Sequence, residues 1–196
     1  LVQGLRQLAV QANATLFHVF LGAFAVVLGR HAGRERLNIG VPMTNRNRLE
    51  LEGLIGFFVN SVVHRIELDN ARSFDDLLAR VKEQALQAQA NKDVPFDQVV
   101  EQLQPERGLD HNPLFQVMYN HLRDVGARVD GGSATGLRIE EVPLPERTAQ
   151  FDLTLDTLER SDGVLASFNF ALDLFDRARI EQLAEHWLNA LRAALA

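Results

Sequence analysis

The sequence predicts an α/β (α+β layered) chain in which helices pack on a central mixed sheet, and three observations carry that expectation. Alternating runs such as Leu37-Asn38-Ile39-Gly40-Val41 and Phe151-Asp152-Leu153-Thr154-Leu155 read as strands, because residues two apart share one face of a strand. Stripes spaced three and four apart, such as Leu77, Leu78, Val81 and Ala85, read as helices with one buried side. The two patterns interleave over 196 residues with no internal repeat and no convincing boundary, so a single unit with an ordinary core is expected.

Leu5, Leu8 and Ala9 open a short helical face, and Asn13 and Thr15 offer caps for a second helix running through Arg30 and ending near Gly33. Its apolar stretch, Leu16 to Leu28, is interrupted by His18 and falls short of the about 20 residues that cross a hydrocarbon core, so it reads as a buried helix. Leu37, Ile39 and Val41 form a short strand stopping at Pro42, followed by the polar loop Thr44 to Arg48. A strand beginning near Gly56 puts Asn60, Val62, His64 and Ile66 on one face and Phe57, Val59, Ser61, Val63 and Arg65 on the other; two apolar faces predict a central strand.

Ser73 with Asp76 makes a start resembling a capping box for a helix reaching about Ala90. Asn91 to Pro95 breaks it, and Pro95 suits the first turn of a helix carrying Phe96, Val99, Val100 and Leu103. Leu114 to Leu122 reads as a strand, Gly126 to Gly136 as a loop, and Leu137 to Val142 as a short strand ended by Pro143 and Pro145. The turn Ser161-Asp162-Gly163 joins two alternating runs into a hairpin. Asp176 then caps a terminal helix whose Ile180, Leu183, Ala184, Trp187, Leu188 and Leu191 share a face.

Composition excludes several classes of function. A hydrophobic share of 46% with 23% charged residues fits an ordinary globular domain, and a net charge of −6 opposes the basic face that nucleic acid requires. With no cysteine there are no disulfides, thiolate metal sites or Cys nucleophile, and a reducing, cytoplasmic setting is expected, with no membrane partner. The chain opens on Leu1 with no signal-peptide pattern and reads as a piece of a longer polypeptide.

The six histidines, His18, His31, His64, His111, His121 and His186, show no metal-binding spacing, and no Walker loop, dinucleotide fingerprint or nucleophile elbow is present. No catalytic residue and no metal site is assigned. His64, His111 and His121 have no acid or metal partner visible in the sequence and read as surface or packing residues.

Three segments are more specific than generic elements require: Gly56 to Arg65, with Asn60 and Ser61 inside an apolar strand; Asn91 to Val100; and Arg107 to Met118. Together they resemble signature segments from the C-terminal lobe of the condensation domains of nonribosomal peptide synthetases. Ala14 to Phe17, Gly40 to Pro42, Arg46, Gln150 to Leu155 and Asp173 to Asp176 match that family in the right order, along the whole chain. Asn91 stands where a His or Tyr is often found in the second segment, and the family's catalytic His-His-x-x-x-Asp-Gly is not present.

The resemblance implies one lobe of a two-lobed, chloramphenicol acetyltransferase-like fold, with residues 1–196 the C-terminal lobe and the catalytic N-terminal lobe missing. It implies amide formation between carrier-bound aminoacyl or peptidyl thioesters, this lobe supplying one wall of the substrate tunnel. No cofactor is bound directly; the phosphopantetheine arms belong to upstream and downstream peptidyl carrier proteins. The other implied partners are the N-terminal lobe and a neighbouring adenylation domain, and an isolated lobe is expected to self-associate.

Asn60, Ser61 and Gln116 are the tunnel candidates, although alternation forbids Asn60 and Ser61 from facing the same side. Gly56, Arg65, Asp93, Pro95, Phe96, Arg107, Pro113 and Phe115 are motif residues read as structural: Arg65 in an ion pair, Asp93 as a cap for the Pro95 helix, Arg107 pinning its loop or meeting the other lobe, and Phe115 in the core. Epimerization, dual-function and silent carrier-recruiting domains share this lobe. A non-enzymatic docking module and an independent small acyltransferase are the readings from other classes.

Overall fold

The computed structural model describes residues 1–46, 48–69, 71–103, 112–124 and 148–196. Helix α1 (Val2–Gln11) buries Leu5 and Ala9 and leads into α2 (Leu16–Ala32). Thr15, extended at φ −121° and ψ 167°, is the N-cap of α2, and its N–H donates to His18 Nδ1 at 3.0 Å. An imidazole thus fills the position usually taken by Glu or Gln in a capping box. Gly33 closes α2 at φ 62°, a left-handed conformation that suits glycine.

The residues from Val19 to Ala25 are all buried, so α2 is enclosed on every side. It packs against α1, α4 (Phe74–Ala90), α6 (Arg177–Ala193) and the sheet, and Trp187 Nε1 of α6 donates to Phe20 O at 3.3 Å. Among the described residues no single helix is long and apolar enough to cross a membrane; α1 and α2 pass such a test only as a pair bent by 103°.

The sheet contains β1 (Arg36–Thr44), β2 (Val59–Glu67), β3 (Val117–Arg123), β4 (Leu153–Glu159) and β5 (Val164–Phe170), in the spatial order β2-β1-β3-β4-β5. The β1–β3 and β3–β4 pairs are parallel and the two outer pairs antiparallel, which makes the sheet mixed as expected. Ile39, His64, Ile66, Tyr119, Leu153 and Leu155 are buried on the face that α2 covers. The β4–β5 hairpin closes through Arg160 N donating to Gly163 O at 2.8 Å, about the Ser161-Asp162-Gly163 turn.

Several expectations are corrected. Strand β2 lies at an edge of the described sheet, not at its centre, because apolar residues on both faces report cover above and below a strand and not a neighbour beside it. Strand β1 runs through Pro42 to Thr44: among the described residues its pairing with β3 covers Ile39 and Gly40, so at Pro42 β2 is the one described strand beside it, and an edge tolerates proline. The polar loop after β1 gives way to a short helix, α3 (Leu49–Glu52).

At α4, Ser73 Oγ accepts from Asp76 N as expected, but Asp76 Oδ2 accepts from Arg72 N instead of Ser73 N. Asp176 occupies the N-cap of α6 without a side-chain cap bond. Leu188, and Leu103 in α5 (Phe96–Leu103), are exposed although helical spacing groups them with core residues. The expected loop 126–136 and the strand Leu137 to Val142 lie outside the described residues.

Candidate functional site

Asn60 joins two of the signature segments. Its Nδ2 donates to Lys92 O and Val94 O, each at 2.7 Å, and its Oδ1 accepts from Phe96 N at 3.1 Å. A primary amide presents two donors and an acceptor, so one side chain on β2 serves three backbone groups of the α4–α5 turn. Lys92 Nζ reaches back to Thr44 O at 3.1 Å, and Asn91 Nδ2 donates to Gln87 O at 2.9 Å, finishing α4.

Pro95 starts α5, its carbonyl accepting from Gln98 N and Val99 N. The Phe96 ring then stands edge-on to Phe115, with centroids 5.6 Å apart, and Phe115 meets Phe151 at 5.3 Å. Phe115 is 1% exposed, and its ring fills the space that a Cβ on Gly40 would occupy. Ahead of β3, Asn112 Oδ1 accepts from Leu114 N at 3.1 Å and Phe115 N at 3.3 Å, the Asx geometry that turns a chain into a strand. Segments far apart in sequence therefore form one contiguous unit through Asn60, Phe96, Phe115 and Gly40.

The other tunnel candidates are not drawn to this point. Ser61 is half-buried opposite Pro42 on the face turned away from Asn60, and Gln116 is exposed with Nε2 donating to Asn112 O at 3.0 Å. Arg65 is exposed and pairs with Glu67 at 3.3 Å, Gly56 lies just ahead of β2, Asp93 is exposed in the α4–α5 turn, and Pro113 is half-buried. Arg107 and His111 lie outside the described residues. Sequence reading placed Asn112 inside a signature segment and Arg46 among the family matches without giving either a role; the Arg46 guanidinium caps carbonyls of Leu51 and Glu52 and lies 4.2 Å from the centroid of Phe58.

A second cluster surrounds Phe17, whose ring lies 5.3 Å from His18, 5.9 Å from His64, 5.4 Å from Tyr119 and 6.2 Å from His121. His121 does have an acidic partner, which corrects the sequence reading: Nε2 donates to Glu159 Oε1 at 3.1 Å, and Nδ1 meets Thr157 Oγ1 at 2.8 Å. Nothing local announces this contact, because the pair is 38 residues apart and meets only when β3 and β4 align.

Burial pulls the His121 pKa down, and the bond and charge of Glu159 partly oppose that shift. Thr157, His121 and Glu159 form a hydroxyl–imidazole–carboxylate line. Thr157 is only 1% exposed, however, and its hydroxyl also bonds Asn120 O at 3.3 Å and Tyr119 OH at 3.2 Å. The line is a structural tie, extended to α1 by Arg6 at 3.4 Å from Glu159.

His64 is buried with neither ring nitrogen hydrogen-bonded among the described residues, and burial, followed by the nearby His18, lowers its pKa to about 4. Its neutral ring is a packing element. An open groove of about 1070 Å³ lies along β3 to β5, where Asp156, Ser167 and Asn169 alternate with Leu122, Leu165 and Leu172. Asn60, Ser61 and Gln116 are not in its lining. Among the described residues no three His, Cys, Asp or Glu side chains converge as a metal site.

One of the linear gramicidin synthase proteins of Brevibacillus parabrevis is 44% identical over 195 residues, spanning 99% of this chain and 4% of that protein. The chain therefore covers only a small part of this curated relative. The X-domain from teicoplanin biosynthesis superposes at a TM-score of 0.87 with 26% identity, over 98% of this chain and 44% of the other. In complex with OxyB, that X-domain gives a TM-score of 0.85 with 25% identity, over 98% and 42%. The family model of the condensation domain matches residues 1–196, with the α/β layers of the chloramphenicol acetyltransferase-like fold; from end to end, this chain belongs to the condensation domain family.

Proposed function

We propose that this chain is the C-terminal lobe of a condensation domain that forms peptide bonds between carrier-bound aminoacyl or peptidyl thioesters in nonribosomal peptide synthesis. One observation carries the reading: a family match over the whole chain, combined with a superposition that accounts for only 44% of the chain of the matched X-domain. In the proposed reaction the acceptor amine attacks the donor thioester carbon. The C–N bond forms, the C–S bond breaks, and the amine proton leaves with the pantetheine thiol.

In this reading the lobe contributes position. It forms a rigid wall that holds two tethered substrates at attack distance and excludes water, reducing the entropic part of the barrier. The Asn60–Phe96–Phe115 unit supports it by making that wall rigid, which places Asn60 as a positioning residue and leaves Ser61 and Gln116 as substrate-facing candidates. Phosphopantetheine arms of upstream and downstream carrier proteins are the proposed occupants, and the groove along β3 to β5, with Ser167 and Asn169 between leucines, suits an amide-bearing arm.

The missing N-terminal lobe is the proposed partner of an exposed apolar run that includes Leu54, Ile55 at 104% exposure, Phe57 at 90% and Val59. A neighbouring adenylation domain and a cytoplasmic setting belong to the same proposal.

The test combines this chain with the polypeptide that precedes it and two loaded carrier proteins. The pair should produce a dipeptide thioester and the chain alone should not; product from the chain alone overturns the half-domain reading. A second reading, a docking module without chemistry, is favoured by the likeness to an X-domain found in complex with OxyB. It predicts carrier or partner binding by the joined lobes with no dipeptide formed. An epimerized product in the same assay would identify the third variety of this lobe.

A further inference from the structure

His31, in the last turn of α2, and His186, midway along α6, are both exposed, and their facing nitrogens, Nε2 and Nδ1, are 2.8 Å apart. The ring centroids are 5.1 Å apart with the planes inclined at 49°. The helices beneath them are locked by buried Leu28, Leu183 and Trp187 and by the Trp187–Phe20 hydrogen bond, so the two imidazoles are held together by the core and not by their own contact.

We propose that His31 and His186 form a two-imidazole site for a late first-row divalent cation, Cu2+ or Ni2+, that fastens α6 to α2. Metal–imidazole bonds are about 2.0–2.1 Å long, so two nitrogens on adjacent positions of a square or octahedral ion lie about 2.9 Å apart, against about 3.4 Å on a tetrahedral one. The 2.8 Å separation of the present N–H···N bond is short enough for one ion to bridge both nitrogens once the rings turn toward it, and nitrogen ligands favour Cu2+ and Ni2+ over the earlier first-row divalent ions. Mg2+ and Ca2+ seek oxygen ligands and do not fit.

Binding displaces two waters from the ion. The ring that donates in the present N–H···N bond carries its proton on its outer nitrogen instead, so no net proton is lost from a neutral pair. Burial, His186 and Arg179 all lower the pKa of His31, which keeps its ring neutral, and the Arg179 charge also repels a dication and weakens its binding. With no third His, Cys, Asp or Glu converging among the described residues, water completes the coordination shell and the ion exchanges readily.

Isothermal titration of the chain with NiCl2 should show a single site, with MgCl2 giving no binding heat. His31→Ala and His186→Ala should each weaken Ni2+ binding at least about tenfold, as expected from losing half of a chelate, while leaving the metal-free melting temperature nearly unchanged because both side chains are exposed. The electron paramagnetic resonance spectrum of the Cu2+ form should show two equivalent nitrogens, falling to one in either variant. Equal Ni2+ affinity in the parent and both variants, or no binding to the parent at all, overturns the proposal.

Discussion

Asn60 Oδ1 accepts the backbone N–H of Phe96 across a separation of 36 residues, and the same side chain donates twice to the turn just before it. Two stretches that read as separate motifs are therefore one piece of structure. Removing the amide strands the Phe96 N–H and the Val94 and Lys92 carbonyls together, which is costlier than losing a single pair. Asn60→Ala is expected to lower stability by about 2–3 kcal/mol in urea unfolding. Asn60→Asp keeps the acceptor but turns a carboxylate toward two carbonyl oxygens, so it should be no better than alanine. If both variants unfold like the parent while carrier-bound substrates bind less well, Asn60 contacts substrate and is not a clamp.

Gly40 has no side chain because Phe115 needs the room. Gly40→Ala forces the ring aside in a packed site and should cost about 1–3 kcal/mol. Adding Phe115→Leu to it should recover part of that loss, a coupling that a double-mutant cycle measures directly. Simple additivity of the two changes would show that the ring moves away freely.

Acid should weaken the fold through His64. Its folded pKa of about 4 lies below the ordinary value of 6.5, so between those limits the unfolded chain binds a proton that the folded chain refuses. Stability is therefore full above about pH 6.5, falls as the pH drops toward 4, and changes no further through this group below that. The span is roughly 3 kcal/mol. His18, His31 and His121, also lowered, add to the same slope. His64→Leu keeps the packing volume without the ionisable ring, and denaturation from pH 4 to 7 should show a shallower slope than the parent. An unchanged slope would assign the effect to the other three histidines.

Exposed Ile55 and Phe57 should make the chain self-associate in the absence of the proposed partner lobe. Sedimentation velocity is expected to show oligomers that grow with concentration, and Ile55→Ser with Phe57→Ser should shift the distribution toward monomer. A monomeric profile for the parent at high concentration would contradict this.

Local pattern was enough to recognise most elements, and the reason is periodicity: Leu77, Leu78, Val81 and Ala85 lie on one buried side of α4, and the Ser161-Asp162-Gly163 turn closes its hairpin, because each depends on neighbours within a few residues. The ordered signature segments also made the family legible before any coordinates. What pattern does not contain is which surfaces meet. Two apolar faces on β2 said nothing about whether another strand lay beside it, and among the described residues it lies at the sheet's edge.

Asn60 was legible as a polar residue in an apolar strand, but its partners were not, since the α4–α5 turn comes within reach only after α4 packs on the sheet. His121 reads as isolated until the parallel β3–β4 register brings Glu159 to it, and His31 and His186 meet only because α6 docks on α2. Sequence by itself determined most of the elements and the family. Tertiary structure decided the pairings, because hydrogen bonds and ring contacts act over a few ångströms while the residues that make them lie tens to more than a hundred positions apart.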